Sequence, residues 1–324
     1  MLKRILALSA AVVMLSAAGF AEEAVSPLPT SLTPGHVPNP AGFTESSYED
    51  AATSVQMEHL WVDGVRFNVA RIKVADASQL RTAIAAPYAQ KRTNRVSAMA
   101  NQNNAVIAIG GDFYASDDKG YVVRMGEVGM KQPNPNRDML IIDDKGDFHF
   151  VLKTKTERDY AAALRVYKES GMNMVNVFNF GPALVIDGVK QAIPKSYSYN
   201  MEMPEPRTAI GQLGPLEYLF VVADGRGAAD SPGCTGEQLA QFMFDQGCIN
   251  AYNLDGGNSA LMVFNGQNYS EKEAAAERAV SDIVYIATAV DHGLDDMPAE
   301  ELEALRQESA FVVHEDEPAG ESAP

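Results

Sequence analysis

Asp255 heads the most suggestive run in the chain, Asn253-Leu254-Asp255-Gly256-Gly257-Asn258-Ser259, and follows a stretch, 249–254, that reads as a short buried strand. Glycine reaches positive φ without a Cβ penalty, so Gly256 and Gly257 allow a sharp turn there. A carboxylate at a strand end, with backbone N–H groups exposed beside it, suits a polar or anionic ligand. Three other polar segments have the same character: Gly110-Gly111-Asp112-Phe113-Tyr114, Glu205-Pro206-Arg207-Thr208-Ala209-Ile210-Gly211 and Val222-Ala223-Asp224-Gly225-Arg226-Gly227. Together they supply the carboxylates Asp112, Asp224 and Asp255 and the guanidiniums Arg207 and Arg226. Paired carboxylates perform acid, base and nucleophilic work at acetal carbons. Arginine forks grip phosphate oxygens. A site holding both fits a sugar joined to a phosphate.

Each residue also has a plainer reading. Asp255, Asp224 and Asp112 could close ordinary turns; Arg207 could pair with Glu205, Ser259 could bond backbone, and Thr208 reads as structural. The company these residues keep favours the site. That reading is lost if Asp255 lies more than about 15 Å from both Arg207 and Asp224, beyond the reach of screened charges.

The order and spacing of these segments resemble the phosphodiester glycosidase family over roughly residues 100–290. The match runs through Gly181-Pro182-Ala183-Leu184 with Asp187-Gly188, then Pro206–Gly211, Asp224-Gly225-Arg226, the helix beginning at Thr235, the Asp255 loop and Arg278. The resemblance implies a mixed α/β catalytic domain and an extracytoplasmic hydrolase of sugar-1-phosphodiesters. In it Asp255, Asp224 and Asp112 are the catalytic candidates. Arg207, Arg226, Arg278, Gly256, Gly257, Asn258 and Ser259 are the candidates for holding substrate or phosphate. Two departures stand out: Gly110-Gly111 where the family commonly has Asn-Gly, and Asn258 where it has a third glycine. Asn tolerates positive φ better than most residues, so the loop can keep its shape.

Composition narrows the rest. The formal charge is −17, which argues against general attraction to nucleic acid or anionic membrane. Lys3 and Arg4, the apolar stretch 5–18 and the small residues of Gly19-Phe20-Ala21 read as a signal peptide over 1–21. The expected location is therefore secreted or cell-envelope, without membrane insertion after removal. Cys234 and Cys248 flank a predicted helix, 237–246, which would span about 15 Å. A disulfide needs Cα atoms within about 7 Å, so two buried free thiols are expected.

The five histidines lie away from the four motifs in sequence, which gives Ser-His-Asp chemistry no evident base. No His/Cys spacing reads as zinc. A calcium or magnesium ion on Asp112, Asp224 or Asp255 stays open, since hard cations favour oxygen ligands. Two rival functions also stay open: a non-catalytic binder of glycan or teichoic-type polymer, and a metal-dependent phosphodiesterase that breaks the P–O bond.

Positioning falls to strands. Hairpins are expected at 60–69 around Asp63-Gly64, at 139–152, at 175–186 around Gly181-Pro182, and at 208–223. Further strands are expected at 81–85, 106–109, 250–254, 260–264 and 283–289, with helices at 96–101, 159–170 and 237–246. Strands that outnumber helices without alternating with them predict an α+β fold with a mixed or antiparallel sheet. The Pro-rich residues 22–54 read as a flexible leader, 55–290 as one catalytic domain, and 291–324 as an acidic, solvated tail.

Overall fold

The computed structural model describes residues 32–315 except 133, 196, 198 and 272–276, and of 308–315 only the backbone. The expected signal peptide and residues 22–31 of the leader lie outside the described residues. In chain order the first elements are β1 (Ser47–Glu49), β2 (Thr53–Val62), β3 (Val65–Val74), β4 (Leu80–Ile84), α1 (Val96–Gln102) and β5 (Ile107–Gly110). Then come β6 (Gly120–Arg124), β7 (Glu127–Gln132), β8 (Met139–Asp143), β9 (Phe148–Val151), α2 (Glu157–Glu169), β10 (Met174–Phe178), β11 (Ala183–Ile186) and β12 (Val189–Lys190). The last are β13 (Arg207–Gly214), β14 (Glu217–Ala223), α3 (Gly236–Asp245), β15 (Asn250–Leu254), β16 (Met262–Phe264), β17 (Gln267–Asn268), β18 (Asp282–Ile286) and α4 (Ala299–Glu315).

The strands form three sheets, and every pairing among the described residues is antiparallel. The large sheet has the order β1-β2-β3-β14-β13-β15-β11-β12; the smaller ones run β7-β6-β10-β8-β9 and β17-β16-β5-β18-β4. This is the expected α+β class. The β2–β3 hairpin turns on Asp63 (φ 50°) and Gly64 (φ 76°), the paired positive φ values that match the twist of the flanking strands.

Alternation along the strands sorts the core into layers. Ile72, Phe220, Ile210 and Tyr252 of the large sheet meet Ile107, Ile109 and Val284 of one small sheet and Leu140, Val175 and Phe178 of the other. On the opposite face, Phe67, Val69, Leu219 and Ala209 pack against Leu239, Phe242 and Met243 of α3. Phe67 and Phe242 stack at 3.8 Å. A capping box between Thr235 and Gln238 starts α3. Helices α1 and α2 cover the outer faces of the small sheets. Cys234 and Cys248 are free and buried, as expected.

Three expectations change. Order begins before residue 55: Val37, Phe43 and Tyr48 are buried, and β1 pairs with β2, so 32–54 is part of the domain. Gly181-Pro182 does not close a hairpin, because β10 and β11 belong to different sheets. The acidic segment is anchored at its start, where Asp295 accepts from the Val37 amide at 2.8 Å and bonds His36 at 2.6 Å. It then continues as α4.

Candidate active site

Strand β13 lies between β14 and β15, with Arg207 opposite Ala223 on one side and Thr208 opposite Leu254 on the other. Adjacent strands are about 4.8 Å apart, so Asp224, Arg207 and Asp255 stand at the same end of three neighbouring strands, within roughly 10 Å. The backbone convergence that the sequence demanded is there. The side chains, however, divide into separate groups.

The Asp255 turn is pinned on both sides. The Asp255 amide donates to Gly111 O at 3.0 Å, and the Gly257 amide donates to Pro206 O at 2.7 Å. A Cβ on Gly256 would stand 2.7 Å from that Pro206 oxygen, which accounts for the glycine. The left-handed residue of the turn is Gly257, φ 57°, and not Asn258. Asn258 instead accepts from Arg226 Nη1 at 2.6 Å, while Arg226 Nε donates to Glu205 at 2.6 Å. Arg226 thus clamps two of the four motifs from a partly exposed position.

Asp255 is 7% exposed, and its Oδ2 has no hydrogen-bond partner among the described residues. Burial pushes its pKa up to about 7; Ser259 and Arg278 act downward, and the charges of Asp112 and Asp282 act upward. Ser259 stands beside it without reaching a well-formed hydrogen bond. Arg278 is exposed and lies over the Phe113 ring at 5.2 Å. It makes no hydrogen bond or ion pair among the described residues.

Asp224 belongs to another group. Its Oδ1 accepts from Asn68 Nδ2 at 2.7 Å and from the Glu271 amide at 3.1 Å. Arg66 lies 3.5 Å from its Oδ2. Burial raises its pKa to about 6, against the pull of Asn68 and Arg66. Asn68 also bonds His59, whose ring stacks on Tyr269 at 4.4 Å.

Two expected roles are redirected by the contacts. Arg207 is buried and does not pair with Glu205. Its Nε donates to Cys234 O at 3.2 Å, and Nη2 donates to Asn200 O at 2.8 Å and Met203 O at 3.0 Å. Those carbonyls use the fork that a phosphate would need, so Arg207 holds chain in place. Asp112 is likewise committed: Oδ1 accepts from the Phe113 amide at 2.9 Å, and Oδ2 accepts from the Asn179 amide at 2.8 Å and Arg124 at 3.3 Å. A carboxylate so satisfied is a poor nucleophile or base.

Sequence reasoning missed several residues here. Among the described residues Tyr199 Oη, Asn179 Oδ1, Asn253 Oδ1, Thr208 Oγ1 and Asp255 Oδ2 are buried without a hydrogen-bond partner; Asp224 Oδ2 takes no hydrogen bond either, but has Arg66 as its ion-pair partner. Buried polar atoms are seldom left unpaired, so each of these is a position able to meet a polar group. The Tyr199 ring stacks on Phe180 at 4.2 Å, with the Arg137 guanidinium 4.7 Å over it. Tyr199 and Asn179 belong to no motif, and only contacts made in the fold reveal them; Asn253 and Thr208 sit inside motifs, where Thr208 reads as structural. As for a cation, Asp112, Asp224 and Asp255 do not gather into a metal-sized cluster among the described residues. His36, Asp291 and Asp295 do, but they lie beyond the far end of β18, away from Asp282 and the site.

A model of the phosphodiester glycosidase family matches residues 103–287, more than half of the chain. A segment of 112 residues, 35% of the chain, is 32% identical to an uncharacterized SPbeta prophage-derived protein, YomE, of Bacillus subtilis strain 168, and spans 17% of that protein's length. The catalytic domain of zebrafish N-acetylglucosamine-1-phosphodiester alpha-N-acetylglucosaminidase, auto-inhibited by its pro-peptide, aligns with a TM-score of 0.53 at 16% identity. That alignment covers 79% of this chain and 95% of that one. A hypothetical protein from Synechocystis aligns with a TM-score of 0.56 at 15% identity, over 72% of this chain and 62% of that one. At such identities the solved structures speak for the fold alone. With a strand-edge turn of matching order and a family model spanning most of the three-sheet core, the chain belongs to the phosphodiester glycosidase family.

Proposed function

We propose that this protein is an extracytoplasmic hydrolase that cleaves the bond between a sugar's anomeric carbon and the oxygen of a phosphodiester, on cell-envelope or exopolysaccharide glycans. The observation that carries the reading is Asp255: a buried carboxyl with a free oxygen, a proton affinity near neutral, and an uncommitted arginine beside it. A carboxyl poised near the working pH exchanges protons efficiently. Arg278 and the clamped Arg226 neutralise the phosphate, which then leaves without strong protonation. Asp255 takes a proton from the attacking water, and the water oxygen joins the anomeric carbon as the C–O bond to phosphate breaks. Asp224 serves as the second carboxylate and balances positive charge at the sugar. The family and the N-terminal export pattern support the substrate class and the location.

The test is to incubate the protein with sugar-1-phosphodiesters, N-acetylglucosamine derivatives first, in ¹⁸O-labelled water. The expected products are free sugar carrying the label and an unlabelled phosphomonoester. Label in phosphate with release of sugar phosphate, abolished by EDTA, would instead identify a metal-dependent phosphodiesterase. Retention of glycan without any release across the panel would identify a binder.

A further inference from the structure

Beneath the Asp255 turn lies a group of charges of which the sequence motifs contain only Asp112. Arg124, at the end of β6, has no exposed side-chain surface, and Asp282, at the start of β18, has none either; Asp112 is 1% exposed. Arg124 Nε donates to Asp282 Oδ2, Nη2 donates to Asp112 Oδ2, and Nη1 donates to the Val123 and Val177 carbonyls. Its guanidinium also lies 3.9 Å over the Phe178 ring. Asp282 Oδ1 accepts the Asp112 amide at 2.6 Å, and its backbone carbonyl accepts the Gly111 amide at 3.1 Å. One arginine and two aspartates thus join both small sheets. The Gly110–Asp112 turn that they hold accepts the Asp255 amide on its next carbonyl, Gly111 O. That contact is where the large sheet is joined as well.

Burying ions is costly unless they are paired and bonded, and replacing such a group by apolar packing often costs nothing in stability. A fully buried set beside the reactive carboxyl therefore invites a functional account. We propose that Arg124 and Asp282, acting through Asp112 and the Gly111 carbonyl, are positioning residues for Asp255: they fix where its strand end stands and what field its carboxyl feels. This inference rests on the role given to Asp255 above. The charged and titratable groups facing Asp255 are Asp112 and Asp282 from beneath, Arg278 from the solvent side, and Tyr199 from the loop before β13. The buried set carries one positive and two negative charges, so its net effect on Asp255 is to favour the protonated form. Gly111 is part of the same device, because a Cβ there would stand 2.6 Å from Asp282 Oδ1.

The test uses the full chain carrying Asp282→Asn, which keeps shape and removes one charge, and follows the Asp255 carboxyl by ¹³C NMR, with Asp255→Asn identifying its signal. The expected result is a titration midpoint lower by about one pH unit. On an accepted substrate, kcat should fall by about tenfold or more with KM little changed. An unchanged midpoint in a protein that melts like wild type would overturn the proposal. If Asp282→Asn does not fold, Gly111→Ala decides, since it displaces the carboxylate without removing it: a fall in kcat at constant KM supports the unit, and wild-type kinetics overturn it. Should no substrate be turned over at all, the NMR midpoint still judges the positioning, while the function proposed for Asp255 would fail separately.

Discussion

Arg226 and Asn258 are bonded to each other at 2.6 Å across 32 residues of sequence. Asn258 stands where the resemblance leads one to expect glycine, and its side-chain oxygen holds the arginine over Gly257. The arginine is therefore pre-set, not free to search. Asn258→Gly should loosen Arg226, raising KM several-fold while leaving kcat within about twofold, because what is lost acts before the transition state as well as in it. Steady-state kinetics on one sugar phosphodiester checks this; a collapse of kcat with constant KM would give Asn258 a direct part in chemistry.

Asp255→Asn should lower kcat by about 10²–10⁴-fold, the usual contribution of a proton-transferring side chain. It should also alter stability in a direction fixed by the sign of the shift. The carboxyl moves from 3.8 in the open to about 7 in the fold, so the folded state keeps the proton longer. Wild-type stability from this group is then complete below about pH 4 and declines until about pH 7, by at most roughly 4 kcal/mol. Thermal melts should show Asp255→Asn more stable than wild type at about pH 8, with the gap closing in acid. A variant less stable than wild type at alkaline pH would contradict the assignment.

Arg278→Ala removes the exposed cation that draws Asp255 downward. KM should rise about tenfold, with a shallower dependence on salt, because a screened charge has been lost. The Asp255 titration should move up. An upward move here and a downward move in Asp282→Asn would show the two sides of the carboxyl acting in opposition.

Arg207→Lys should behave as a stability variant. A lysine cannot reproduce the fork that reaches Cys234, Asn200 and Met203 carbonyls, and leaving buried acceptors unpaired costs about 1–3 kcal/mol each. Denaturant unfolding should register that loss, while the affinity for product phosphate stays close to wild type. Full stability with lost phosphate affinity would return Arg207 to the role first expected of it.

The thiols give a simple check on packing. Burial pushes Cys234 and Cys248 up to about 12, so an aromatic disulfide reagent should label neither in the native protein and both after unfolding. Rapid native labelling would mean that the α3 side opens.

The sequence revealed much of the framework. Strand pairs such as Val62/Val65 and Gln212/Tyr218 follow from local alternation and turn chemistry, and helix α3 follows from its capping box; each needs only neighbours along the chain. The Asp255 loop was legible for the same reason, since its glycines and carboxylate are adjacent. What Arg207 and Asp112 touch was not legible, because Asn200, Cys234, Arg124 and Asn179 meet them only after three sheets close. Arg124 itself sits in the unremarkable run Tyr121-Val122-Val123-Arg124, and nothing local distinguishes it from a surface arginine. The early start of order was hidden by prolines, although Tyr48 and Phe43 packed at 4.4 Å show what that segment contributes.

Tyr48 donates its hydroxyl to Asp50, and that carboxylate also takes the Thr288 hydroxyl and His292. His36 and Asp295 repeat the link a little further out. The two ends of the domain are in this way buttoned to one another, far along the chain but side by side in space. Trimming the protein at residue 55, where composition alone would place the cut, would strip the buttons from the other margin as well. The segment that follows β18 would be left holding acids with nothing to fasten them.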